Sequence, residues 1–136
     1  MITFTEADIK DIKVGMTESF TKTITDVDVK MYAELSGDVN PVHIDEDYAK
    51  KSRFGRKIAH GLFSAGFFSA IFGTKLPGTG CVYVSQNLNF KRPVYIDDMV
   101  VATVTVLEVD QKSKKVKFKT ECKVKQKVVI DGSAVI

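Results

Sequence analysis

In the last third of the chain, apolar and polar positions alternate with a period of two. Val82, Val84, Leu88 and Phe90 alternate with Tyr83, Ser85, Asn87 and Asn89 from Cys81 onward, and "MVVATVTVLEV" continues the pattern. Between Lys114 and Lys125, Val116, Phe118, Thr120, Cys122 and Val124 face one way while Lys115, Lys117, Lys119, Glu121, Lys123 and Lys125 face the other. Such segments are strands with one face on a core and one in water. "VVIDGSAVI" reads as a last strand, with a bulge or bend expected at Asp131-Gly132.

The pattern before this is different. In "IAHGLFSAGFFSAIFG", residues 58 to 73, apolar and small side chains surround the whole helical circumference, which predicts a helix buried on every side. About 16 residues at roughly 1.5 Å each fall short of the roughly 30 Å hydrocarbon core, so this is a core helix and not a membrane span. Further upstream, "VGM" is a turn and "TESFTKTI" a strand. Thr25, three residues before Asp28, forms a capping box that opens a helix from Asp26 to about Leu35. Asp45 caps a short helix through "EDYAKKS", to be stopped by Gly55. One buried helix followed by a long antiparallel meander requires the sheet to wrap around the helix, an α+β arrangement in a single domain spanning residues 1–136.

Composition narrows the function classes. The 20 basic and 17 acidic side chains leave a net charge of +3, which gives no support to a nucleic-acid partner. The opening "MITFTEADIKD" lacks the basic start and apolar run of an export signal, so a cytoplasmic protein is expected. Cys81 and Cys122 lie in apolar runs without CxxC pairing or a nearby histidine, and read as core or sheet residues rather than metal or redox groups. Eight lysines fall between Lys112 and Lys127, and their alternation reads as a solvated strand face.

Candidate chemistry is concentrated in "SGDVNPVHID", residues 36 to 45, which uses one of only two histidines in the chain. Asp38 and His43 form a candidate acid/base pair, since an imidazole exchanges a proton near neutral pH and a nearby carboxylate complements it. Gly, Asp, Asn and Pro are also turn formers, and residue chemistry alone leaves site and turn both open. "AHGLFSAG" supplies a second half. If the buried helix begins near His60 or Gly61, its first amides lack intrahelical partners and can bind an oxygen that becomes negative during reaction. Close helix packing is the competing account of Gly61, and His60 reads as a helix-start residue hydrogen-bonded to backbone.

With these residues in view, the chain resembles a known family. "YAELSGDVNPVHIDEDYA", Tyr32 to Ala49, looks like the signature of MaoC-like (R)-specific enoyl-CoA hydratases, and "FGRKIAHGLFSAG" follows it at the family's distance. "NLNFKRPVYIDDMV" is similar to a further family segment, with "IDD" where the family has an "xGD"-like turn. The resemblance covers nearly the whole chain, and its Gly-Asp-x-Asn-Pro-x-His core is highly specific.

The resemblance implies a hot-dog fold, a long central helix wrapped by an antiparallel sheet and paired into a homodimer. It implies (R)-specific hydration of trans-2-enoyl-CoA, with Asp38 and His43 as the catalytic pair and Gly61 as the oxyanion amide. Asn40 would hold the loop, and Ser69 would hydrogen-bond the catalytic carboxylate. Coenzyme A would enter only as part of the acyl-CoA substrate, with no other cofactor and no metal, membrane or nucleic-acid partner. Arg92 and Lys57 are the phosphate candidates, because they flank strand and helix ends near this site. Phe72 is expected to close the acyl end and favour short chains. An acyl-carrier-protein dehydratase shares the fold and stays open, while the Asp38/His43 pair with Asn-Pro argues against a thioesterase. A non-catalytic acyl-thioester-binding or interaction domain is the rival of another class, and it predicts that Asp38→Asn leaves function intact.

Overall fold

The computed structural model describes residues 8–136. Residues 1–7, which carry most of the segment behind the expectation of no export signal, lie outside the described residues. After a 3-10 turn at Ile9–Asp11, the chain forms β1 (Thr17–Thr23), α1 (Asp26–Ser36), α2 (Pro41–Ile44), α3 (Glu46–Lys51) and α4 (Gly61–Thr74). Four more strands follow: β2 (Ser85–Phe90), β3 (Met99–Asp110), β4 (Lys115–Val124) and β5 (Lys127–Val135). All pair antiparallel in one five-stranded sheet of order β1-β3-β4-β5-β2. This is the hot-dog arrangement of a long helix in the hollow of a curved sheet.

The core forms where α4 meets the sheet. Phe67, Phe68, Ile71 and Phe72 pack against Val100, Ala102, Val104 and Val106 of β3, Val116, Phe118 and Cys122 of β4, and Ile130 and Ala134 of β5. A fully buried side chain such as Phe68 contributes about 1.5–3 kcal/mol relative to exposure, so this contact dominates the fold. In β4 the inward set Val116, Phe118, Thr120 and Cys122 is buried as the alternation predicts. Burial also pushes the Cys122 thiol up to about 12, consistent with an inert core cysteine. Cys81 is half-buried, and its thiol donates to the Phe72 carbonyl at 3.1 Å.

Local signals at the helix starts act as the sequence requires. Asp28 N–H donates to Thr25 Oγ1 at 3.1 Å and Thr25 N–H to Asp28 Oδ2 at 3.0 Å, the complete capping box of α1. Asp45 accepts from Tyr48 N–H at 3.1 Å and opens α3, but the helix ends at Lys51 and not at the expected Gly55 stop, because Ser52 turns its hydroxyl back to the Ala49 carbonyl.

Four expectations are corrected. First, α4 is not buried all round. Its outward stripe of Leu62, Gly66, Ser69, Ala70 and Gly73 is exposed, because a single sheet has one concave face and covers half a helix. Second, β2 begins at Ser85, not near Cys81, and Val82, Val84 and Phe90 are exposed. Pairing with β5 ends at Val135, whose carbonyl still accepts from Val84 N–H at 2.9 Å, and Cys81 to Tyr83 lie beyond it. Third, the β5 irregularity falls at Val129, where Cys122 pairs with Ile130 but Lys123 pairs with Val128. The displaced Val129 carbonyl accepts from Lys91 N–H at 2.8 Å, which brings the start of the β2–β3 connection across the end of β5. Gly132 stays in register because a Cβ there would lie 2.0 Å from the Asn87 carbonyl of β2: close strand approach, not a bend, demands it. Fourth, the Pro41 segment is not an open loop but a single helical turn, with Pro41 in its first turn.

Candidate active site

The chain enters the site from the end of α1, where Gly37 adopts φ 81°, a left-handed conformation that suits glycine and turns the backbone sharply. Asp38 follows, with its own N–H donating to Ser36 Oγ at 3.1 Å and its Oδ1 accepting from Asn40 N–H at 3.2 Å. Asn40 in turn caps α2 by accepting from Val42 N–H at 3.3 Å. These bonds span two residues each, so the decapeptide builds its own rigid turn and then presents His43 in the last turn of α2. The two readings left open by residue chemistry are therefore compatible: the turn is the device that aims the side chains.

His43 is 8% exposed, and its Nδ1 lies 2.7 Å from the carbonyl of Ile58. A carbonyl only accepts, so Nδ1 carries the proton and Nε2 is left as a free base. Burial lowers the pKa of this imidazole below its usual 6.5, only partly opposed by the Ile58 carbonyl, and the neighbouring His60 ring lowers it further. His60 is the N-cap of α4, buried, with its ring stacked on His43 at 3.9 Å between centroids. Its Nε2 lies 2.9 Å from the Asp38 carbonyl. The ligand-type atoms of Asp38, His43 and His60 lie within 4.8 Å of one another, the spacing at which one water bridges two groups. Among the described residues this trio is the group that could hold a metal ion, although one nitrogen of each ring is already committed to a carbonyl.

Gly61 is the first residue of α4, so its N–H has no intrahelical acceptor and lies at the positive end of the helix dipole. With Asp38, His43, His60, Leu62 and Phe90 it lines a cavity of about 200 Å³. His43, Gly61 and Phe90 also line a second cavity, of about 290 Å³, whose wall includes Arg53 and Arg92. The Phe90 ring lies so close over Gly61 that a Cβ there would come within 2.6 Å of it.

The structure thus brings Asp38, Asn40, His43 and Gly61 together, with Arg92 beside them. It does not bring the other three. Lys57 is taken by Asp26 at 2.6 Å, an ion pair that ties α1 to the segment before α4 and holds the Asp26 carboxyl below its usual range. Ser69 is exposed on the outward stripe, about 12 Å along the axis from Gly61 at about 1.5 Å per residue, too far to reach Asp38 of the same chain. Phe72 is buried between Tyr83 and Phe118 at 5.4 and 4.8 Å, and lines neither cavity beside His43. His60 is the helix-start residue hydrogen-bonded to backbone that the sequence suggested, although its place in the site was not foreseen, and Arg53 and Phe90 were missed. The basic run around Arg53 in "KSRFGRK" and the aromatic at the end of the β2 alternation were the signals available.

Comparison with known proteins identifies the family and the fold. The sequence pattern of the "MaoC like domain" matches residues 10–129. Over 127 residues the chain is 51% identical to the (R)-specific enoyl-CoA hydratase of Rhodospirillum rubrum, covering 93% of this chain and 88% of that one. It is 45% identical to the 3-hydroxybutyryl-CoA dehydratase of Methylorubrum extorquens, covering 93% of this chain and 81% of the other. Among solved structures, the unliganded R-hydratase PhaJ1 from Pseudomonas aeruginosa superposes with a TM-score of 0.92 at 36% identity, covering 98% of this chain and 86% of that one.

Proposed function

Since this chain belongs to the MaoC-like domain family, we infer that it is a hydro-lyase catalysing the reversible (R)-specific hydration of a trans-2-enoyl-CoA to the (R)-3-hydroxyacyl-CoA. The observation that carries the assignment of residues is the convergence of Asp38, His43 and the Gly61 amide on one small cavity. In the reaction we propose, the thioester carbonyl accepts a hydrogen bond from Gly61 N–H, which makes carbon 3 electrophilic and stabilises enolate character on the carbonyl oxygen. Asp38 and the free Nε2 of His43 hold one water between them. Its oxygen adds to carbon 3, its proton passes to the pair, and the pair returns a proton to carbon 2. Neutral His43 is suited to this at pH 7 because burial disfavours its charged form. Acid and base are roles assigned to the pair and not to either residue alone. The chemistry asks for no cofactor beyond the coenzyme A of the substrate.

Arg53 and Arg92 support a phosphate-facing mouth on the second cavity, in place of the Lys57 expected from sequence. Arg92 is held there by donating to the Val128 carbonyl at 2.7 Å, and Arg53 by lying over the Phe54 ring at 4.7 Å. The chain-length preference follows from the small volume at His43 and Gly61 rather than from Phe72, and short enoyl chains are proposed on that ground. We further propose a homodimer, supported by the outward stripe of α4, where Leu62 is 60% exposed, and by the open β2 edge, where Phe90 is 54% exposed. Sedimentation as a monomer at micromolar concentration would remove that claim.

The direct test follows enoyl-thioester absorbance after adding pure protein to crotonyl-CoA, beside Asp38→Asn and His43→Ala, with the product's configuration assigned. Fast formation of the (R)-alcohol, falling by about 10²–10⁴-fold in each folded variant, is expected. Turnover by wild type of an enoyl-acyl-carrier-protein alone would move the substrate to the carrier. Full activity in Asp38→Asn would refute the residue assignment.

A further inference from the structure

Of the two histidines, the proposed reaction uses one. The other, His60, is the more deeply buried at 2% exposure, and burying an imidazole inside a site without a task is costly. Its surroundings indicate what the task is. The ring is held on both faces, by His43 at 3.9 Å and by Tyr32 at 4.7 Å between centroids. Its Nε2 faces the Asp38 carbonyl at 2.9 Å, and since that oxygen can only accept, the ring must be the Nε2–H form. Its Nδ1 is buried with no protein partner. With no partner in reach, Nδ1 has no protein group with which to exchange a proton.

The two stacked rings therefore have opposite fixed tautomers. His43 gives its Nδ1–H to Ile58, the residue two before His60, and keeps Nε2 free; His60 gives its Nε2–H to the backbone of Asp38. Through one ring, the start of α4 holds both the turn that carries the carboxylate and the face of the imidazole. The same ring begins the helix whose first residue is Gly61.

We propose that His60 is a positioning residue that fixes Asp38, His43 and the Gly61 amide relative to one another without itself carrying a proton in the reaction. The kinetic part rests on the hydratase reading above; the structural part does not. The Nε2–H bond holds the Asp38 turn, and the stack holds the His43 ring in the plane that keeps its Nε2 in the cavity.

The test compares His60→Gln, which can still place an amide donor near the Nε2 position, with His60→Phe, which keeps a stacked ring but has no donor. His60→Asn, too short to reach the Asp38 carbonyl, stands in if the phenylalanine variant does not fold. On crotonyl-CoA, kcat should fall about 10- to 100-fold in His60→Phe with KM little changed, the loss expected when a reacting group is displaced by about an ångström. His60→Gln should stay within about tenfold of wild type, where loss of a proton carrier would cost about 10²–10⁴-fold. In a His43→Ala background His60→Phe should cost less than in wild type, since only the Asp38 turn and the Gly61 amide are then left to position. Hydrogen exchange provides the arm that needs no turnover: the Asp38, Asn40 and Val42 amides should exchange faster in His60→Phe than in wild type or His60→Gln.

Loss of activity in His60→Gln to the level of His43→Ala would overturn the proposal in favour of a proton carrier. An active wild type with equally active His60→Phe and unchanged exchange would overturn it outright while leaving the hydratase reading intact. No wild-type turnover, with exchange that still quickens in His60→Phe alone, would sink the hydratase reading and leave the positioning role standing.

Discussion

Replacing Gly61 by alanine separates the chemical role of this residue from its structural one, because the two predict opposite balances of stability and activity. Alanine in a helix gains up to about 1 kcal/mol over glycine. Against this, the new Cβ would lie 2.6 Å from Phe90 Cδ1 and Cε1, where ordinary contact begins at 3.4 Å, so the ring must give by about 0.8 Å. Phe90 is 54% exposed and free to swing, and an off-rotamer shift of that kind costs about 0.5–1.5 kcal/mol. The two terms nearly cancel, so the unfolding free energy should move by less than about 1 kcal/mol. Activity should respond differently. The methyl group and the displaced ring would stand in front of the amide proposed to meet the thioester carbonyl, and losing one such donor costs about 10²–10³ in kcat, or about 2.7–4 kcal/mol. Urea titration and crotonyl-CoA hydration on the same preparation measure both. Gly61→Ala combined with Phe90→Ala shows which group blocks the amide: recovery of activity points to the ring, no recovery to the methyl. Hydration within threefold of wild type in a folded Gly61→Ala enzyme would refute the oxyanion role of this amide.

The lowered pKa of His43 has a sign that can be checked. Its folded value is below 6.5, so the unfolded chain binds more protons as pH drops through 6.5, and stability should fall with acidification until the folded pKa is passed. His43→Ala should flatten the dependence of the urea midpoint between pH 7.5 and 5.5, and equal slopes in the two proteins would count against this. Over the same window kcat/KM should lose activity along an acid limb centred below 6.5. At the far end of the sheet, Gly132→Ala puts a Cβ 2.0 Å from backbone that cannot swing aside. A loss at the upper end of the roughly 1–3 kcal/mol that overpacking costs is expected by urea titration, and a wild-type midpoint would show that β2 adjusts freely.

What the sequence determined by itself is everything whose physics is local. The capping box of Thr25 and Asp28 spans three residues, the alternation of Val116 to Cys122 reads directly as one buried strand face, and the Asp38–Asn40–Val42 bonds span two residues each. Such hydrogen bonds and periodicities close within a few residues, so residue order is enough to predict them. The pair proposed as catalytic was legible for the same reason: Asp38 and His43 share one self-built turn.

Tertiary structure decided the rest. Lys57 could be read as a free cation until α1 placed Asp26, 31 residues earlier in the chain, against it. His60 could be read as a helix start hydrogen-bonded to backbone, but only the fold made its partner the Asp38 carbonyl across 22 residues, and Phe90 read as one more strand aromatic until β2 laid it on Gly61. The outward stripe of α4 carries the same small and apolar residue types as the buried one, so composition could not tell them apart. Only the curvature of the sheet does, because one concave face covers one side of a helix and leaves the other side to solvent or to a second chain.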